Sequence, residues 1–187
     1  SVAVQRQMFI RHRFGMGLGL EPRKPPLLAR QAADLARQTL QHLRQGNALG
    51  ADLAHGLPGV TLFLAQLGAV AADEQWTKLA RKTAATLQRY IIEEGVDGVD
   101  ESTPIGLFDG LGGQLYTYAH LATLWPEPTL LQTAETLVRQ AGAFMHDPRD
   151  DEASNLACGL AGLLAGLLAL HQVAPTEATL TVARQVG

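Results

Sequence analysis

Cysteine is almost absent: Cys158 is the single one among 187 residues. No disulfide can form within the chain, and a reducing, cytoplasmic setting is the natural one. Aromatic residues make up only 5%, and β-branched residues give way to alanine and leucine. Ala and Leu lose little side-chain freedom in a helix, so this deficit favours helix over sheet. Long hydrophobic runs are missing too. The stretch Leu156 to Leu170 falls short of the ~20 residues that a membrane span needs. Its Gly162 and Gly166 read as close packing in a soluble core rather than as a membrane dimer motif. No signal peptide is visible, since residues 1–14 are broken by Arg6, Arg11, His12 and Arg13. A net charge of −3 gives no support to a nucleic-acid partner. The charge is unevenly placed, with eight Lys/Arg against Glu21 and Asp34 up to Arg44, which reads as a solvated or domain-docking face.

What the chain does contain is a repeat. Ile105 to Leu124 carries Gly110 and Gly113 and then runs into an apolar helix. The same plan recurs upstream from Leu53 with Gly56 and Gly59, and downstream from Leu156 with Gly159 and Gly162. A unit of about fifty residues recurring in this way is a repeat architecture. Inner segments are predicted at about Leu57 to Ala71, from the second glycine pair to about Leu124, and at Leu160 to Leu170. Each is apolar nearly all round and therefore expected to be buried.

Between them lie half-polar helices. Residues 27–44 place Leu28, Ala32, Leu35, Ala36, Leu40 and Leu43 at helical spacing. Trp76 to Ile92 has a buried stripe of Trp76, Leu79, Ala80, Thr83, Ala84, Leu87 and Ile91, with Lys78, Arg81, Lys82 and Arg89 towards water. Leu130 to Phe144 repeats the pattern, and a last helix starts at Pro175. Acidic loops (Glu93, Glu94, Asp97, Asp100, Glu101 and Asp147, Asp150, Asp151, Glu152) read as solvated segments. Strict alternation of buried and one-sided helices is what a ring of inner helices covered by outer ones requires. The expected fold is all-α, a partial α/α toroid of about three helix pairs. The six glycines are read as structural, because a missing Cβ lets backbones approach.

Residues 1–26 read as a junction and linker, with a short helix over 2–14 and a break at Gly15 to Pro26. Residues 27–187 read as the N-terminal half of the toroid, since neither end has the polar taper expected of a terminus.

The three segments, in this order, resemble the first three inner helices of the lanthionine synthetase C-like family, and most closely the cyclase half of class II bifunctional lanthipeptide synthetases. The stretches that carry the resemblance are Leu53 to Gly68, Leu107 to Leu121 and Asn155 to Gly162. The resemblance implies thioether formation, in which a peptide cysteine adds to a dehydrated Ser or Thr of a precursor peptide. It also implies a preceding dehydratase domain, and residues 1–14, including Gln7 to Arg11, resemble the junction that follows such a domain. In the family, zinc lowers the pKa of the attacking thiol, and a positioned acid protonates the resulting enolate. The zinc ligands lie in motifs resembling Trp-Cys-x-Gly and Cys-His-Gly; neither occurs here. Zinc is thus expected for the complete family domain and not for this chain.

The candidate catalytic positions are Asn155 and His55. Asn155 stands four residues before Gly159, where the family commonly has an Asp implicated in acid/base work. An amide cannot exchange a proton there as a carboxylic acid can. His55 resembles a histidine of an Ala-His-Gly motif from the family's fourth inner repeat, but the residues after it fit the first, so a groove-lining or capping role is favoured. Cys158 is expected to be a buried, inert thiol, and Asp52 and Asp109 to be N-caps. His120, His146 and His171 lack metal-type spacing. Two rivals are a non-catalytic helical scaffold that binds peptides on its loops, and another α/α-toroid enzyme such as a glycoside hydrolase, which needs paired carboxylates inside the ring. A half ring leaves apolar helices uncovered, so self-association is expected.

Overall fold

The structure, a computed structural model, describes residues 49–95, 103–144 and 155–187, together with the isolated positions 31, 34 and 41. The segments expected at residues 2–14, 15–26 and 27–44 lie outside the described residues, as do Asp97, Asp100, Glu101, His146, Asp147, Asp150, Asp151 and Glu152.

Six helices and no strand occur among the described residues: α1 (Leu57–Ala71), α2 (Glu74–Glu94), α3 (Leu111–Leu124), α4 (Pro128–Phe144), α5 (Leu160–Val173) and α6 (Glu177–Val186). The architecture is all-α. The odd-numbered helices form one row, in which α3 packs on α1 on one side and on α5 on the other. The even-numbered helices form a second row, each against its predecessor in sequence and against its neighbours in the row. Each local choice has a cause. Asp73 accepts a hydrogen bond from the N–H of Gln75 at the start of α2, and Thr176 caps α6 through the N–H of Thr179. Pro128 opens α4, where its missing N–H costs nothing. Ala72 ends α1 in the left-handed region, and Gly95 ends α2 at a φ of 62°.

The core runs between the two rows. Leu87, Ile91, Leu115, Leu121, Leu137, Leu163 and Leu167 are fully buried or nearly so, each worth about 1.5–3 kcal/mol relative to exposure. The stripe expected on α2 is the buried face observed, with Trp76, Ala80, Ala84, Leu87 and Ile91 inside. Among the inner helices α3 is the most completely covered. The outer members of the row keep some apolar surface in water, at Val70 on α1 and Leu168 on α5.

Polar ties between the described helices are few and specific. Tyr118 on α3 donates its buried hydroxyl to the Ala84 carbonyl of α2 at 3.1 Å, and burial pushes its phenol far above the ordinary range. Thr61 and Thr83 join α1 to α2 at 2.9 Å. Gln140 on α4 donates to the Gly95 carbonyl at 2.6 Å. Arg81 lies 4.7 Å over the Trp125 ring and pairs with Glu127, tying α2 to the α3–α4 turn. Tyr118→Phe removes one buried hydrogen bond, while the Ala84 carbonyl keeps its partner within α2, so the cost should be about 0.5–1.5 kcal/mol. Urea denaturation would show this as a lower midpoint at unchanged slope.

Candidate functional site

Each inner helix is entered through the same tight loop, and the three loops lie side by side at one end of the inner row. In every loop an N–H bonds back four residues: Gly56 to the Asp52 carbonyl at 3.0 Å, Gly110 to Gly106 at 3.2 Å, and Gly159 to Asn155 at 2.9 Å. Those glycines are the helix N-caps, and none is assisted by a side chain. Asp52 and Asp109 were expected to be N-caps and are not, because the turn places a glycine at each cap. All three caps have negative φ (−102°, −147° and −119°), so no dihedral demands glycine there; at Gly56 and Gly110 the demand is one of space.

That space is set by the loop itself. A Cβ on Gly59, Gly113 or Gly162 would lie 2.2 Å from the carbonyl oxygen of Leu53, Leu107 or Leu156 respectively, and one on Gly56 or Gly110 would collide with the Gly50 or Pro104 carbonyl. Close approach between helices falls mainly to a different set. Cβ atoms on Gly112 and Gly166 would each lie 2.4 Å from the other helix, at the carbonyls of Gly162 and Gly112. The Gly162–Gly166 pair therefore packs α5 onto α3.

The loops are stitched together by backbone bonds that run in chain order. Leu53 and Ala54 both donate to the Phe108 carbonyl at 3.0 Å; Leu107 donates to Leu156 at 3.2 Å, and Phe108 to Ala157 at 2.9 Å. Gln114 adds a bond from α3 to the Ala51 carbonyl at 3.1 Å. Gly106 is bare because a Cβ there would meet the Ala157 carbonyl at 2.1 Å.

This register places His55, Asp109 and Cys158 at equivalent positions, each directly before its cap glycine. The His55 side chain is 92% exposed, with its Nδ1 3.8 Å from Asp52 Oδ1. Asp109 is half-buried, and its Oδ1 is buried without a hydrogen-bond partner. Cys158 was expected to be buried and is exposed, because α5 begins only at Leu160 and residues Leu156 to Gly159 belong to the turn. The neighbouring Asp109 carboxylate, by hydrogen bond and by charge, holds the Cys158 thiol above its ordinary pKa. Replacing Asp109 by Asn should lower that pKa and speed alkylation of Cys158 by iodoacetamide at pH 8 on the order of several-fold. An unchanged rate would show that the carboxylate does not act on the thiol.

Asn155 is exposed at the rim. Its Oδ1 accepts the N–H of Ala157 at 2.8 Å and of Cys158 at 3.4 Å. Phe108 and Leu156 present apolar surface beside it, at 46% and 50% exposure. His120 lies apart from this rim, in the third turn of α3. There it meets Gln66 of α1 and stacks on Tyr116, and burial lowers its pKa.

A family model for the lanthionine synthetase C-like protein matches residues 47–185. The chain belongs to the lanthionine synthetase C-like family. A search of curated proteins returns no match. The matched region holds all six helices and the three loops. Among the described residues no three His, Cys, Asp or Glu side chains come together as a metal site. None of the described helices is long and apolar enough to cross a membrane.

Sequence reasoning missed the alignment of His55, Asp109 and Cys158. The signal was available as the residue immediately before each cap glycine, and it became visible once the loops were superposed by their turns.

Proposed function

We propose that the chain supplies the first three inner and outer helix pairs of the α/α toroid in the cyclase domain of a class II lanthipeptide synthetase, and that its three loops form part of the rim facing the precursor peptide. The direction of the loop ladder carries this reading. Each of the first two loops hands N–H groups to the next one in chain order, a pattern open to continuation by further loops of the same kind. The chemistry of the complete domain would be addition of a peptide Cys thiol to a dehydrated Ser or Thr. The residues described here would contribute surface and loop geometry to it. The setting is cytoplasmic, and the apolar surface left on α1 and α5 supports self-association of the chain by itself.

A second reading, a scaffold that binds peptides without catalysis, is favoured by one observation: Asn155 offers an amide already committed to two backbone N–H groups. Both readings place the peptide at the loops. A dehydrated precursor peptide carrying a photoreactive group beside its dehydroalanine should crosslink to the loops at His55, Phe108 or Leu156. Crosslinks confined to α2, α4 and α6 would overturn both.

A further inference from the structure

The residue four places before each cap glycine has a job that the family resemblance does not describe. In the first loop it is Asp52, whose Oδ1 accepts the N–H of His55 at 2.6 Å. In the third it is Asn155, whose Oδ1 accepts the N–H groups of Ala157 and Cys158. The bonded residue three places on is in both cases the one directly before the cap glycine, with its side chain exposed at the rim. In the middle loop the same place is Gly106. A side chain there is impossible, because the Ala157 carbonyl and the Cys158 Cα occupy its space at 2.1 and 2.3 Å. The middle loop is held instead by its neighbour, through the bonds from Leu107 and Phe108.

We infer that Asp52 and Asn155 are positioning residues, each holding the backbone of its loop so that His55 and Cys158 keep their places at the rim. The demand at this position is for a short side-chain acceptor, which a carboxylate and a carboxamide meet equally. The amide of Asn155 is thus a functional choice for the loop even though it cannot transfer a proton. Its hold on Cys158 also keeps that residue beside Asp109. This inference stands on hydrogen bonds alone and does not require the peptide reading above.

Cys158 is its own reporter. In the 187-residue chain, the pH–rate profile of Cys158 alkylation by iodoacetamide should be the same for Asn155→Asp as for the parent. For Asn155→Ala the profile should move towards that of an ordinary thiol, with the rate at pH 8 rising several-fold while the helical circular dichroism is kept. A brace that served only general stability would alter melting and leave that profile in place. A folded Asn155→Ala chain whose profile overlies the parent's overturns the inference. Should that variant not fold, hydrogen exchange in the parent chain decides. The amides of His55 and Cys158, although they sit in exposed loops, should exchange at least about tenfold more slowly than unstructured amides; exchange at the unstructured rate overturns the inference.

Discussion

Gly162→Ala should abolish a stable fold or leave the chain in a loosened, weakly cooperative state. The new Cβ would lie 2.2 Å from the Leu107 nitrogen, 2.2 Å from the Leu156 oxygen and 2.9 Å from the Gly106 carbonyl carbon. All three are backbone atoms, so no side chain can rotate out of the way. Relief requires parting the second and third loops, and with them the bonds from Leu107 and Phe108. Overpacking usually costs about 1–3 kcal/mol. A contact that must break a loop ladder belongs at or above the upper end, a large share of the roughly 5–15 kcal/mol that holds a domain folded. Gly142→Ala is the control. It lies inside α4, and its Cβ would meet only the Cγ2 of Val182 at 3.3 Å. Helix propensity favours alanine there by up to about 1 kcal/mol, so the net change should stay within about 1 kcal/mol. Thermal unfolding of the two variants should differ by several degrees at least, with Gly162→Ala the lower.

The second large effect concerns activity. Incubated with a dehydrated peptide bearing a free cysteine, the chain should raise the rate of thioether formation no more than about twofold over the uncatalysed reaction, with or without added zinc. Thiol addition needs the thiolate, and metal coordination is how such a thiol is deprotonated near neutral pH. The described residues bring no three metal-binding side chains together. The enolate also needs an acid, and Asn155 spends its acceptor on Ala157 and Cys158. Asn155→Asp should leave the rate at background, since a carboxyl at this position does nothing to activate the thiol. Mass spectrometry after alkylation of residual thiols counts the rings directly, and rings formed several-fold faster with the chain present would contradict this.

Much of the fold was legible because the two kinds of helix differ in hydropathy all round their circumference. The inner helix Leu57–Ala71 is bounded in the structure where its apolar run and glycine pair place it, and the buried stripe of α2 follows from spacing alone. The glycine pairs identified the repeat, although most of them make room for their own loops rather than for neighbouring helices. What was not legible was set by the turns. The third inner helix starts at Leu160 as its apolar run predicts, but the composition of the turn before it gives no sign of its exposure, and so Cys158 was misplaced in the core. Asp52 and Asp109 looked like caps because short acidic residues precede helices, while the actual cap is the glycine that follows the turn. The ladder between loops consists of backbone bonds, which have no side-chain signature. Gly106 was its one visible trace, a bare position where the neighbouring loops have Asp52 and Asn155.

The measurement that tests the account most directly is the set of scalar couplings transmitted through the hydrogen bonds between loops, in the isotopically labelled chain. If the three loops form one rim, coupling should appear between the Phe108 N–H and the Ala157 carbonyl carbon, and between the Ala54 N–H and the Phe108 carbonyl carbon. Slowed exchange should accompany it at both amides. Absence of both couplings in a folded chain, with the two amides exchanging at the unstructured rate, would show that the loops are separate and that the rim does not exist.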